Sequence, residues 1–105
     1  AHIRISSVQF NIPGLGEPIR LLLAHCGIPF KDTRFKERSE FLERKPHLKY
    51  GQVPCLIVNG KELFQSYTIM RFIANSFDAS GSLYPSHSPT LAAECDGIQD
   101  QIKDM

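Results

Sequence analysis

Asn59-Gly60 lies between two short apolar runs, Cys55 to Val58 and Glu62 to Phe64. Both turn residues tolerate positive φ, so the flanking runs are expected to fold back on each other as an antiparallel hairpin. Pro54 stands where the chain enters the first strand, a place where a missing N–H removes no ladder hydrogen bond. The second strand runs straight into Gln65-Ser66. Ser66 can cap a helix whose apolar residues Ile69, Met70, Ile73 and Phe77 share one face, and this helix is expected to run to about Phe77.

Upstream, Ile3 and Ile5 alternate with Arg4 and Ser6, and Val8 and Phe10 follow, which predicts a first strand to about Gln9. Pro13, Gly14 and Gly16 are turn residues, so a turn is expected to follow. Glu17-Pro18 opens a helix with Leu22, Leu23 and Cys26 on its apolar face, and Gly27 suits the left-handed position after its end. Ile28 to Phe30 and Thr33 to Phe35 predict a second strand, completing a right-handed β-α-β unit. Between Ser39 and Leu48, Phe41, Leu42 and Leu48 stand among charges, as in a short helix and a loop.

The segment DASGSLYPSHSP is rich in turn residues, with Leu83 and Tyr84 as apolar anchors, and divides the chain into residues 1–80, a linker over 81–87 and residues 88–105. Ser88-Pro89 marks the start of a last helix in which Leu91, Cys95, Ile98, Ile102 and Met105 form one stripe. Such a stripe needs something to bury against. We therefore expect a piece of a longer protein, with residues 88–105 as the first helix of an all-helical C-terminal domain.

Composition narrows the partners. Twelve Lys and Arg against eleven Asp and Glu leave a formal charge of +1, with no basic surface to recommend nucleic acid or an anionic membrane. No apolar run approaches a membrane span and the N-terminus does not read as a signal peptide, so cytoplasm is the expected location. Cys26, Cys55 and Cys95 contain no C-x-x-C pair, and the four histidines lack metal-ligand spacing, so neither a disulfide framework nor a metal is expected.

The element order, β-α-β, short helix, hairpin, helix, with a proline at the hairpin entrance, is that of a thioredoxin-like α/β fold. The cysteine pair that thioredoxins carry at the first helix is absent. Nearly the whole chain resembles the N-terminal domain of cytosolic glutathione S-transferases, in particular the sigma class. The resemblance rests on QFNIPGLGEPIRLLLA, on YGQVPCLIVNGKELFQS, on the helix from Tyr67 and on Asp96 in the final helix.

The resemblance implies a glutathione site. It implies a cis Val53-Pro54 bond that leaves the Val53 backbone to pair with the cysteinyl part of the peptide, and Gln65 and Ser66 at its γ-glutamyl end. A helix N-terminus suits that carboxylate, although Ser66 taken alone is more often a plain helix cap. Lys45 is implied at the glycyl carboxylate beside Phe41, which stands where the sigma class typically has tryptophan. Gln52 is implied to flank the same peptide in place of a common lysine. Asp96 is matched to an aspartate that reaches the glutathione amino group across a homodimer interface, and reads otherwise as an ordinary helix acid.

One position departs from the pattern. The family's thiol-activating tyrosine falls at Gln9, and a common supporting arginine falls at Leu15. An amide supports a thiolate less than a phenol does. The expected function is conjugation of the glutathione thiol to small electrophiles with weakened activation, glutathione being a substrate and no metal being needed. The alternative is a non-catalytic glutathione-binding or structural relative of the transferases, and a thiol oxidoreductase is disfavoured by the missing cysteine.

Overall fold

A computed structural model describes residues 3–11, 16–78 and 83–103. Among these residues nine elements follow one another: β1 (Ile5–Phe10), α1 (Glu17–His25), β2 (Lys31–Phe35), α2 (Arg38–Arg44), a 3-10 turn (Lys45–His47), β3 (Cys55–Val58), β4 (Lys61–Phe64), α3 (Ser66–Phe77) and α4 (Pro89–Lys103). The four strands form one sheet in the order β2-β1-β3-β4. β1 and β2 are parallel, whereas β3 is antiparallel to β1 and to β4. This is the expected thioredoxin-like arrangement.

Local chemistry explains the boundaries. α1 ends in a Schellman turn: Gly27 has φ +69°, its N–H bonds to the Ala24 carbonyl at 3.0 Å, and Ile28 N–H reaches the Leu23 carbonyl at 3.0 Å. Asn59 and Gly60 take φ +51° and +85°, both positive as a two-residue type I′ turn requires. α2 begins with a reciprocal capping box between Glu37 and Glu40. The second strand starts at Lys31, later than the apolar Ile28 to Phe30 run indicated; Ile28 and Phe30 pack against the α1 and α3 layer, and Pro29 is exposed.

The sheet separates two apolar clusters. On one face Ile5, Leu56 and the helix residues Ile19, Leu23, Ile69 and Ile73 are buried together; on the other lie Val8, Phe35, Leu48, Cys55 and Phe64. Because side chains alternate along β1, Ser7 and Gln9 share the face of Ile5, while Val8 and Phe10 point to the opposite face. Each fully buried Ile or Leu contributes about 1.5–3 kcal/mol of transfer free energy. Five of the six residues in the first cluster are at most 1% exposed, so that cluster fixes α1 and α3 on the sheet.

α4 stands apart from this arrangement. It packs sparsely against the other elements, and Leu91, Ile98 and Ile102 are 49%, 62% and 55% exposed. Cys95 is half-buried, and Met105 lies outside the described residues. Among the described residues no helix is long and apolar enough to cross a membrane.

Candidate functional site

An open cleft of about 670 Å³ lies where β1, the segment before β3 and the start of α3 converge, lined by Phe10, Phe41, Gly51, Gln52, Val53, Pro54, Gln65, Ser66 and Tyr67. Its size falls within the range of roughly 300–1,000 Å³ seen for small-molecule sites. Phe10 and Phe41 form its aromatic wall, with ring centroids 5.4 Å apart, and both pack on the buried Phe35 at 5.9 and 6.0 Å. Among the described residues no lining side chain carries a charge, so an ionic ligand here depends on backbone dipoles and on cations at the rim.

Each contributing segment has a local cause. The Val53–Pro54 peptide bond is cis, as the resemblance implied. Gly51 has φ +58°, which favours glycine, and a Cβ there would also crowd the Lys45 stem, 3.2 Å from Cγ and 3.3 Å from Cε. The Lys45 ammonium lies 5.9 Å from the Phe41 ring centroid, at the edge of the cleft.

α3 starts differently from the expectation. Ser66 is its first helical residue and Gln65 occupies the cap position with φ +73° and ψ +117°. The hairpin delivers Phe64 to the core and the helix must begin at once, so the intervening residue absorbs the change of direction in a conformation rare for a non-glycine side chain. The first N–H groups of a helix have no intrahelical acceptor, and those of α3 open at the cleft beside Ser66. Gln65 Nε2 meets Gln52 Oε1 at 3.5 Å.

The cleft therefore gathers Phe41, Gln52, Val53, Pro54, Gln65 and Ser66, with Lys45 at its edge. Asp96 is elsewhere. It accepts from Arg71 Nη1 at 2.9 Å and from the Tyr84 hydroxyl at 2.8 Å, joining α4 and the preceding segment to α3. The Arg71 and Tyr84 hydrogen bonds hold its carboxyl below the usual range, and the same bond to Asp96 raises the Tyr84 phenol. Leu83, expected as an anchor, leaves its side chain 44% exposed and donates its N–H to Asp78 Oδ2 at 2.9 Å.

Gln9 is 3% exposed and does not line the cleft; its neighbour Phe10 does. Leu15 lies outside the described residues. Sequence reasoning missed Phe10, Gly51 and Tyr67 as lining residues, although each is the immediate neighbour of a residue that it did select. Cys55, next to Pro54, is buried, and its thiol is pushed up to about 11 by desolvation, with Glu62 adding to the shift and Arg44 and the Leu63 N–H opposing it. Such a thiol is packing, not a nucleophile. Among the described residues no group of three or more His, Cys, Asp or Glu side chains is placed to hold a metal ion.

Comparison with known proteins bears on the same segments. Residues 8–75 match the family model described as glutathione S-transferase, N-terminal domain. Glutathione S-transferase 1 of Ascaris suum is 39% identical over 96 residues, covering 91% of this chain and 44% of that protein. The solved structure of a Nu-class transferase from Haemonchus contortus matches with a TM-score of 0.82 at 33% identity, covering 98% of this chain and 48% of that one. Prostaglandin synthase D of Nilaparvata lugens matches with a TM-score of 0.82 at 35% identity, covering 96% of this chain and 48% of that one. The chain thus spans a little under half the length of these relatives.

Proposed function

The chain belongs to the glutathione S-transferase N-terminal domain family, and from that premise we propose that it forms the glutathione-binding half of a cytoplasmic transferase. The observation that carries the proposal is the meeting of Val53, Gln65 and Ser66 in one cleft at the N-terminus of a twelve-residue helix. In this reading the γ-glutamyl carboxylate takes the Ser66 hydroxyl and the first N–H groups of α3, at the positive end of its dipole. The Val53 backbone pairs with the cysteinyl residue as an added strand would. Lys45, beside Phe41, meets the glycyl carboxylate, and Gln52 and Gln65 flank the peptide.

The reaction is conjugation of the glutathione thiol to a small electrophile. A thiolate must form near neutral pH from a thiol whose ordinary pKa is about 8.5, and a hydroxyl hydrogen bond to sulfur is one way to favour it. Position 9 offers no phenol, so turnover in the whole protein is expected to be slow. The second substrate would be chosen by chain outside these residues. The family's homodimer would bring Asp96 towards a partner's site, and since Arg71 and Tyr84 both bond its Oδ1, neither bond engages Oδ2. A second reading, glutathione binding without conjugation, is favoured by the inward-turned Gln9.

Calorimetry with glutathione on wild type and Ser66→Ala tests the site. Loss of one charge-assisted hydrogen bond should weaken binding by about 1.5–3 kcal/mol. Equal affinities would leave Ser66 as a helix residue only, and no binding by wild type would remove the proposal. Turnover with a panel of electrophiles then separates the two readings.

A further inference from the structure

Gly16 is buried directly before α1, with φ −84° and ψ −23°, backbone angles open to any residue. Backbone freedom therefore does not account for a glycine there. Space does: a Cβ on Gly16 would lie 1.2 Å from the terminal amide of Gln9 and 2.3 Å from its Cδ. The Gln9 amide occupies the volume that any other residue at 16 would claim.

What holds the amide there is a buried polar cluster on the α1 face of β1. In the amide orientation that satisfies its neighbours, Gln9 Nε2 donates to the Gly16 carbonyl at 2.9 Å, while Oε1 accepts from Ser7 Oγ at 3.1 Å and from Arg20 Nη1 at 2.5 Å. Arg20 is 6% exposed, is paired with Glu17 one turn earlier, and has Nη1 3.9 Å from Asp32 Oδ1 on β2. Asp32 Oδ1 is itself buried and has no hydrogen bond among the described residues. Both ends of the Gln9 amide are thus committed within the domain.

We propose that Gln9 is a positioning residue that fixes the entry of α1 onto the end of β1 by filling the space left at Gly16, and that it donates no hydrogen bond to a bound thiol. The part concerning the thiol rests on the glutathione reading above; the coupling of Gln9 to Gly16 does not. Residues 9 and 16 are consequently one unit. A side chain at 16 must expel the amide from Arg20 and Ser7, whereas shortening residue 9 opens most of that space, leaving a Cβ-to-Cβ approach of 3.0 Å.

The test is a double-mutant cycle of Gln9→Ala and Gly16→Ala read by thermal unfolding, joined to the pH dependence of thiolate absorbance for glutathione bound to the full chain. Gly16→Ala alone should lower the midpoint by more than about 5 °C. In the Gln9→Ala background the same change should cost less than half as much. Equal costs in both backgrounds would overturn the coupling. For the thiol, Gln9→Met should leave the apparent pKa of bound glutathione within experimental error, and a rise would show that the amide serves sulfur and overturn that part. A protein that binds no glutathione defeats the functional reading instead, while the stability cycle still decides between coupled and independent residues.

Discussion

A phenol and an amide at residue 9 ask different things of the same strand end. The Gln9 amide is satisfied by turning towards α1, where Arg20 and Ser7 meet it; a tyrosine is too bulky for that space and has one polar atom at its far end. Its Cβ direction is fixed by the strand, so Gln9→Tyr is expected to turn its ring away from Gly16 and carry the hydroxyl past the end of β1. A hydroxyl about 3 Å from sulfur would lower the pKa of bound glutathione and raise conjugation on the order of ten- to a hundredfold, the equivalent of one to three kcal/mol in the barrier. Rates and thiol pKa values measured in both forms check this. A wild type that already turns over fast and is unmoved by the substitution would place thiol activation on another group.

Residue by residue, legibility in the sequence followed how local the cause was. Asn59-Gly60 and Gly27 announced their conformations because a residue type alone permits or forbids the backbone they adopt, whereas the cis bond before Pro54 was legible only through the resemblance, proline itself allowing either isomer. Gln65 did not, since glutamine has no preference for φ +73° and takes it only because the hairpin and α3 leave one residue between them. The inward amide of Gln9 was equally hidden. It depends on Arg20 and Gly16, which are distant enough in sequence that only the packed β1–α1 unit brings the three together.

At the scale of elements, the periodic apolar faces of α1 and α3 were readable because the 3.6-residue repeat records what each face will touch. The tie between α3 and α4 was not, because Arg71, Tyr84 and Asp96 are single polar residues with no pattern linking them. That tie has a pH signature. A carboxyl held below its unfolded value contributes stability that is fully present above the ordinary Asp range near 3.9 and is lost as pH falls through the lower folded value. Asp96 should therefore keep α4 attached through mild acid and release it only at more acidic pH, by an amount kept small by solvent exposure. Hydrogen exchange of α4 amides against pH, in wild type and Asp96→Asn, checks this: the variant should show faster α4 exchange near neutrality and lose the acid step. Identical profiles would mean that the tie contributes nothing in solution.

The whole molecule is less compact than its length requires. Its radius of gyration is 14.4 Å, against about 13 Å for a compact domain of this size, and α4 lies off the sheet with its apolar residues in solvent. Leu91 and Ile98 are seven residues apart and Ile102 follows four later, so the three share one side of the helix. A groove beside them is lined by Glu94, Gly97, Ile98, Gln101 and Ile102. The chain spans less than half of the relatives it matches, and among the described residues Leu91, Ile98 and Ile102 stay about half exposed. The isolated chain is therefore expected to associate with itself in proportion to concentration, through α4, because that is the remaining way to remove this surface from water. Sedimentation across a concentration series should show it. Ile98→Lys with Ile102→Lys should restore a monomer without lowering the unfolding midpoint, since neither side chain contributes to the sheet's two clusters. A wild-type chain that stays monomeric at high concentration would show that α4 finds its cover within the same molecule, by turning Ile98 and Ile102 towards the groove that Gln99 of α4 already shares with Leu22, Met70 and Tyr84.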